Sequence, residues 1–432
     1  MRLDLAVVGD RVYIGGRLVR AAVGVKDGRI AWVGSPSCLP PHDERVEFGR
    51  RYIILPGMVD IHVHMREPGR EYKEDWATGT HAALSGGVTL VCDMPNNEPP
   101  TNTRARFLEK LERAGSKALV DYCLYVGVGD PREVAGCAEE GALALKVYPE
   151  DMVSPLLPSL LETCRSLGLP VVVHPEDPLV LEVAARFVEA PGFEDHGRLR
   201  PPGAEVSAAL RFATLAELGV RVHVTHVTVP GVLRVLRIRG VSADVTPHHA
   251  LLDERAVHRL GGVAKVNPPL RPPSYSRAIL RSLAAGLVRV ITSDHAPHPA
   301  HEKTSDDYSV VPPGFPGLEL VLHLLMTLVA RGILPLRVLD AYSRNPADLF
   351  GLSKGAIEPG RDADLVVYDT AERWRVRGDG MVSKSKVTPF EGWEVRGRVV
   401  KVFLRGVLAY DGGPTGEVRG RFVRPERHAR GG

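Results

Sequence analysis

Between residues 56 and 350, the chain alternates short apolar runs with longer segments whose apolar residues recur at helical spacing. Eight of the short runs predict strands: Val59–His62, Val88–Asp93, Leu119–Val126, Ala142–Val147, Pro170–His174, Val220–His226, Val241–Thr246 and Val288–Ser293. The clearest helical segments are Ala77–Leu84, Arg104–Ala114, Leu156–Ser166, Ala204–Glu217 and Leu318–Ala330. Eight strands interleaved with helices predict an α/β fold built on a parallel (β/α)8 barrel of the TIM type.

The two ends of the chain share a different pattern of β-branched runs separated by turns. Gly15-Gly16 and Asp27-Gly28 are hairpin signals near the N-terminus. The predicted terminal strands are Leu5–Val8, Arg11–Ile14, Ala21–Val25, Ile30–Val33, Tyr52–Leu55, Asp364–Tyr368, Val395–Leu404 and Val407–Tyr410. We expect the ends to pair into a small β-sandwich domain of residues 1–55 and 358–432, with residues 56–357 as the catalytic barrel.

Composition narrows the class of protein. Of the 432 residues, 44% are hydrophobic and 25% are charged, as is usual for a globular protein. The net charge of +3 is too small to favour a nucleic-acid partner. Five scattered cysteines form no CxxC pair, so neither a disulfide framework nor a zinc ribbon is expected. No apolar run reaches the ~18 residues that span a bilayer, and we expect a reduced, cytoplasmic enzyme. The stretch from Arg419 to Arg430 is interpreted as a solvated tail.

His62 and His64 are two positions apart on an apolar strand, so their side chains point to the same face. Pro56-Gly57 precedes this strand and Glu67-Pro68-Gly69 follows it, which places the pair where the strand meets a loop. Two imidazoles on one face can hold one metal ion. Each histidine alone is also compatible with a hydrogen-bonded core residue, and the pair shifts the interpretation toward metal binding.

Further residues with ligand chemistry stand at the ends of four other predicted strands. They are Lys146, His174, His226 and the Asp294 of Ser293-Asp294-His295. The carboxyl ends of parallel barrel strands face one shared cavity. Five of the eight strands would therefore supply polar groups to the same place, although Asp294 alone is also compatible with a loop cap.

Lys146 lies in the apolar stretch Leu143–Tyr148, where an unpaired ammonium group is costly to bury. One interpretation is a lysine whose charged end reaches solvent at the strand end. The other is a lysine with a depressed pKa, kept neutral by burial and by nearby metal charge. A neutral amine can add carbon dioxide, and the resulting carbamate has two oxygens able to bridge two metal ions.

The chain resembles the cyclic amidohydrolases in its Pro56–His64 stretch. Within them it is similar to the dihydroorotase family, of the type fused into the animal multifunctional pyrimidine protein. The matching stretches span nearly the whole chain: His62–Pro68 (HVHMREP), Gly86–Asn97 (GGVTLVCDMPNN), Asp244–His249 (DVTPHH), Lys265–Arg271 (KVNPPLR), Ser293–His298 (SDHAPH), Pro312–Glu319 (PPGFPGLE) and Thr388–Gly392 (TPFEG).

This resemblance implies a binuclear zinc site. His62 and His64 would hold one Zn2+ with Asp294, and His174 and His226 would hold the other. Carboxylated Lys146 and a hydroxide would bridge the two ions, and Asp294 would act as the catalytic base and acid. Asp244 matches an acidic residue near an additional metal position in the animal relatives.

The resemblance also implies a pocket for an acidic ring substrate. Arg66, Asn96 and His298 match its carboxylate-binding positions, and a guanidinium can grip a carboxylate with two hydrogen bonds. A surface salt bridge for Arg66 and a turn role for Asn96 are the alternatives. Asn267 and the backbone of Pro313 and Gly314 would meet the ring amide atoms. Residues 149–155 would form a lid.

The implied reaction is the reversible cyclisation of N-carbamoyl-L-aspartate to L-dihydroorotate, with loss of water, in de novo pyrimidine biosynthesis. Allantoinase and hydantoinase are the enzymatic alternatives, although their substrates lack the carboxylate that Arg66 would bind. A non-catalytic scaffold relative is an alternative of another class. Such relatives typically lose ligands, whereas all six positions are filled here. We expect a homodimer, and an aspartate transcarbamoylase is a possible partner.

Overall fold

A computed structural model describes residues 1–426. Its strands are β1 Leu3–Ile14, β2 Arg17–Lys26, β3 Arg29–Gly34, β4 His42–Phe48, β5 Tyr52–Pro56, β6 Met58–Val63, β7 Val88–Asp93, β8 Asp121–Leu124, β9 Leu145–Val147, β10 Val171–Val173, β11 Val222–Val224, β12 Ser242–Val245, β13 Val290–Ile291, β14 Leu365–Arg375, β15 Glu394–Leu404 and β16 Val407–Asp411. Its α-helices are α1 Trp76–Ser85, α2 Arg104–Lys117, α3 Pro131–Glu139, α4 Leu157–Leu167, α5 Pro178–Ala185, α6 His196–Leu199, α7 Pro202–Glu217, α8 Pro230–Ile238, α9 Pro247–Leu251, α10 Glu254–Leu260, α11 Pro273–Ala284, α12 Ala300–Lys303, α13 Val321–Ala330 and α14 Arg344–Leu349.

The strands between β6 and β13 are all parallel where they pair. One sheet joins β6, β7 and β8, and a second joins β9 to β13 in chain order. Single parallel bridges connect Val126 with Leu145 and Val63 with His295, which link the two sheets at both edges. The eight strands predicted in this part of the chain therefore all form, and their carboxyl ends lie on one side.

Several of the helices between these strands begin at a side chain that caps them. Asp75 accepts a hydrogen bond from the Thr78 backbone and forms a capping box at the start of α1. Asp130 and Asp177 cap α3 and α5, and each is followed by a proline at the first helical position. Each cap satisfies backbone N–H groups that the helix itself leaves unpaired.

Strands from the two chain ends share one eight-stranded sheet. Its order is β16-β15-β14-β5-β1-β2-β3, with β4 pairing in parallel to β1. The join between the ends is antiparallel, with Ile54 opposite Val367. Pairing of the ends was predicted from their similar strand pattern, and it is confirmed.

Two details of this sheet differ from the prediction. Residues 3–14 form the single strand β1 rather than two strands, because the irregularity between Gly9 and Val12 shifts the pairing without ending it. Strand β4 was not predicted. Its sequence, HDERVEF, is largely charged because the strand is half exposed and pairs only with β1.

The Arg-rich C-terminal stretch is attached to the fold where the structure describes it, so residues 419–426 are not a free tail, although the side chains of Arg419, Arg421 and Arg424 are exposed to solvent as expected. The Phe422 ring lies 5.9 Å from the Tyr122 ring, and Arg421 Nη2 donates to Asp362 at 2.9 Å. The Tyr122 backbone N–H donates to the Arg421 carbonyl at 3.0 Å. The remainder of that stretch, 427–430, lies outside the described residues.

Within residues 1–426, no helix is both long and apolar enough to cross a membrane.

Candidate metal centre and its cavity

The carboxyl ends of the parallel strands open into a cavity of about 580 Å³. Eleven of the twelve predicted site residues line it: His62, His64, Arg66, Asn96, His174, His226, Asn267, Asp294, His298, Pro313 and Gly314. Lys146, the twelfth, is completely buried beside it, with its Nζ 5.3 Å from the ring centre of Tyr148, which lines the cavity.

His62, His64 and Asp294 offer three ligand atoms that all lie within 4.8 Å of one another. Asp294 Oδ1 is 3.4 Å from His62 Nε2 and 3.3 Å from His64 Nε2. His64 Nδ1 is hydrogen-bonded to Asn96 Oδ1 at 2.8 Å, which leaves Nε2 to face Asp294. Burial raises the pKa of Asp294 to about 7 and lowers those of both histidines well below their ordinary value.

His226 and His174 continue this row of imidazoles. The ring of His226 lies 5.2 Å from that of His62 and 4.5 Å from that of His174. Burial lowers the pKa of His226 well below its usual range, so the ring is neutral at neutral pH and keeps a lone pair. Burial also lowers the pKa of His174, although the Glu176 carboxylate beside it acts in the opposite direction.

Lys146 lies on the same side of the sheet, on β9. Its Nζ is 3.3 Å from Thr225 Oγ1, and in residues 1–426 no carboxylate lies within ion-pair distance of it. Burial lowers its pKa to about 7, against the attraction of Asp244 and Asp294. The lowered pKa favours the neutral, nucleophilic amine over the ammonium form, and because Lys146 is completely buried, the interpretation as a solvent-reaching lysine is wrong.

The backbone is strained at three of the site residues. His226, Asp294 and Arg66 have φ angles of 37°, 47° and 62°, in the left-handed region that residues with a β-carbon rarely adopt. Such conformations persist where the surrounding structure fixes them, and they concentrate at functional sites.

Two buried aspartates hold the strained strand ends. Asp60 accepts the backbone N–H groups of His62 and Ser293. Asp244 accepts the backbone N–H of His226 at 2.7 Å and is also bonded to His223 Nε2 at 2.8 Å. Because both oxygens of Asp244 already have partners, it serves here as a support for His226.

Arg66 is buried at the cavity wall, so the alternative of a surface salt bridge is wrong. Its Nε donates to the Pro297 carbonyl at 3.2 Å, and its Nη2 lies 3.1 Å from His298 Nε2. His298 is bonded in turn to Glu302 at 3.0 Å, and Lys73 donates to the same carboxylate. Burial lowers the pKa of Arg66 to about 10, so it stays charged.

The other predicted substrate contacts differ in what they can offer. Asn267 Oδ1 is buried and has no hydrogen-bond partner within residues 1–426. The Gly314 N–H donates to the Lys265 carbonyl at 2.9 Å, so only backbone carbonyls remain at Pro313 and Gly314. In the segment 149–155, Pro149 and Glu150 line the cavity and Val153 is exposed.

Sequence reasoning missed three polar residues at this site: Glu176, Arg200 and Lys73. Arg200 lines the cavity, and Glu176 bridges it to His174. Glu176 stands two residues after His174, so its proximity was a usable signal. Glu302, the partner of Lys73, stands four residues after His298 and carried a similar local signal, whereas Arg200 is 24 positions from Glu176 and carried none.

The donors present fit a bound cation. His62 Nε2 and His64 Nε2 face Asp294 Oδ1, and His226 Nδ1 is buried and has no hydrogen-bond partner in the described part of the chain. Neutral imidazoles with one carboxylate are ligands for divalent transition metals. The site therefore contains a possible metal-binding cluster, with Lys146 and His174 next to it.

Comparison with known proteins agrees with this geometry. The model of the amidohydrolase family matches residues 53–409. A dihydroorotase from Methanothermobacter thermautotrophicus is 36% identical over 99% of both chains. An allantoinase from Rubrobacter xylanophilus is also 36% identical, over 98% of both chains. The structure of L-hydantoinase (dihydropyrimidinase) from Arthrobacter aurescens superimposes with a TM-score of 0.91 at 26% identity, covering 98% of this chain and 100% of that one. The chain belongs to the amidohydrolase family and is a dihydroorotase-like cyclic amidohydrolase.

Proposed function

We propose that the protein catalyses the reversible interconversion of L-dihydroorotate and N-carbamoyl-L-aspartate, using two divalent metal ions, in de novo pyrimidine biosynthesis. The observation that carries the choice of substrate is Arg66. Its guanidinium is buried at the cavity wall, and no carboxylate within residues 1–426 forms an ion pair with it. A buried cation that lacks an anionic partner is costly, and a substrate carboxylate would supply that partner.

His298 and Asn96 complete the proposed carboxylate pocket. The neutral His298 ring orients Arg66 through its 3.1 Å contact, while the exposed Asn96 retains an amide NH2 group for the substrate. Asn267 Oδ1 and the backbone carbonyls of Pro313 and Gly314 can accept hydrogen bonds from ring N–H groups. This arrangement suits a cyclic imide that also bears a carboxylate.

The metal ligands would be His62, His64 and Asp294 for one ion and His174 and His226 for the other, with carboxylated Lys146 between them. When bound, zinc ions would provide a water acidic enough to ionise near neutral pH and would polarise the ring carbonyl. Asp294 would take the proton of the attacking water and transfer it to the ring nitrogen as the C–N bond breaks. In the biosynthetic direction, Asp294 carries the same proton in reverse.

The lysine carbamate has its own test. Protein prepared in 13C-labelled bicarbonate would give a carbamate carbon signal that is missing from a Lys146→Ala variant. Carbon dioxide adds to the uncharged amine, so the lowered pKa of Lys146 favours the reaction. An unlabelled Lys146 in fully active protein would rule out the carbamate.

The substrate is tested by measuring ring opening of dihydroorotate, allantoin and hydantoin with metal-loaded protein. We expect the highest kcat/KM for dihydroorotate. Allantoinase activity is the second candidate, because the Rubrobacter xylanophilus allantoinase is as similar to this chain as the dihydroorotase is. Preference for allantoin would select it, and no turnover with metal bound would support the scaffold alternative.

We infer further that the eight parallel strands form a (β/α)8 barrel over residues 56–357. The sheet of both chain ends would then be a separate β-sandwich domain of residues 1–55 and 358–432. The bridges Val126–Leu145 and Val63–His295 support closure of the barrel. The homodimer and the transcarbamoylase partner stay predictions, which size measurements alone and in mixture would test.

A further inference from the structure

Glu176 is fully buried between a candidate metal ligand and an arginine. Its Oε2 lies 2.6 Å from His174 Nε2. Arg200 Nε donates to both Glu176 oxygens, at 3.0 and 3.1 Å, and Arg200 Nη2 contacts Oε2 as well. The guanidinium supplies the counter-charge that a buried carboxylate needs, so Glu176 is an ionised group that accepts hydrogen bonds and donates none.

This contact determines the tautomer of His174. Because an ionised carboxylate only accepts, the proton on the ring must be on Nε2, where it donates to Glu176. The lone pair is therefore on Nδ1, and Nδ1 is the only nitrogen of His174 that can bind a metal ion. A carboxylate behind a ligating histidine also makes the imidazole a more basic ligand.

The other imidazoles of the row have a neutral partner, or none, at the nitrogen that faces away from the candidate metal ligands. His64 Nδ1 is bonded to the amide oxygen of Asn96. His226 Nε2 is 3.1 Å from Thr225 Oγ1, which itself donates to the Val173 carbonyl. His62 Nδ1 has no hydrogen-bond partner in the described part of the chain. Among these four histidines, His174 alone has its second nitrogen on a carboxylate.

We propose that Glu176 is the positioning residue of His174, and that it selectively strengthens binding of the metal ion held by His174 and His226. This inference rests on the two-ion site of the proposed function. Its consequence is that the two ions depend differently on Glu176. Removing the carboxylate should lower the affinity for the ion of His174 and His226 and leave the affinity for the ion of His62, His64 and Asp294 unchanged.

The experiment titrates zinc-loaded protein with a chromogenic chelator at pH 8 and counts the ions released. In Glu176→Gln, we expect one of two equivalents to leave at about 10- to 100-fold lower chelator concentration than in the wild type, with the other unchanged. Glu176→Asp keeps the charge, so its first ion should leave at a chelator concentration between those of the wild type and Glu176→Gln. With Co2+ in place of zinc, the visible absorption of one ion should change in both variants.

Glu319→Gln is the control, because Glu319 is a partly buried carboxylate that accepts hydrogen bonds but lies outside the cavity. It should release both ions as the wild type does. Wild-type release of both ions in Glu176→Gln, or parallel weakening of both, would overturn the inference while leaving the proposed activity intact. Fewer than two ions in the wild type would instead overturn the two-ion site, and this inference with it.

Discussion

The Tyr342 hydroxyl donates a 2.7 Å hydrogen bond to Asp60 Oδ2, across 282 positions of sequence. Asp60 also accepts the backbone N–H of His62 in β6 and that of Ser293, which follows β13 and precedes Asp294. Tyr342 therefore fixes the carboxylate that holds the first and last parallel strands together. Neither residue lines the cavity, yet both support its shape.

Tyr342→Phe should lower the free energy of unfolding by about 1–3 kcal/mol, because it removes a donor from a buried carboxylate. The measurement is urea unfolding of metal-free protein. Tyr368→Phe is the control, since the Tyr368 hydroxyl donates at 2.8 Å to the neutral carbonyl of Arg396. If Tyr342→Phe loses no more unfolding free energy than the control does, the charge on Asp60 does not strengthen this hydrogen bond.

Arg66→Ala should reduce kcat/KM for dihydroorotate by the equivalent of ~2–5 kcal/mol, because a desolvated charge pair with the substrate is lost. Ring opening of hydantoin, which has no carboxylate, should change far less. The comparison of the two substrates separates carboxylate binding from general damage to the cavity. Equal losses on both would remove Arg66 from substrate recognition.

Glu319 should make stability depend on pH. Burial raises its pKa from 4.5 to about 7, against the backbone hydrogen bonds of Val382 and Ser383. The folded state thus holds the proton more tightly, and this stabilisation is complete below pH 4.5 and lost as the pH rises through about 7. Relative to wild type, Glu319→Gln should gain on the order of 2 kcal/mol between pH 5 and 8. Parallel stability curves would contradict the shift.

Lys354 is fully buried and contacts three aspartates, Asp121, Asp362 and Asp364, at 2.7–2.9 Å. Lys354→Met should cost about 3–5 kcal/mol in unfolding free energy, because buried carboxylates lose their central partner. The control is Lys401→Met, which breaks the exposed pair with Asp411 and should cost less than about 1 kcal/mol. Similar losses of unfolding free energy in both variants would show that the buried cluster contributes no more to stability than the exposed ion pair.

The strands and their ends could be predicted from the sequence because local pattern determines them. Val88–Asp93 was placed without error, and the residues that follow the strands, such as His174 and Asp294, lie at the cavity as expected. A period of apolar residues and a polar residue at its end are signals within a few positions of each other. Because parallel strands all end on the same side of the sheet, the location of these polar residues at one cavity then follows directly.

What escaped prediction depends on contacts between distant segments. Arg200 meets Glu176 across 24 positions, and Tyr342 meets Asp60 across 282. The charged strand β4 was missed because it gains its order from pairing with β1 rather than from its own pattern. The arginine-rich composition of the C-terminal stretch is typical of a free tail. The packing of Phe422 against Tyr122 cannot be inferred from composition.

The antiparallel join of β5 to β14 has a consequence for biosynthesis of the chain. Strand β5 cannot obtain this neighbour until residues 365–369 have left the ribosome, more than 300 residues after β5 itself. Until then β5 presents an unpaired edge, to which another nascent chain could add. Slow translation or a truncated message would prolong that exposure, so aggregation during synthesis should begin at this edge.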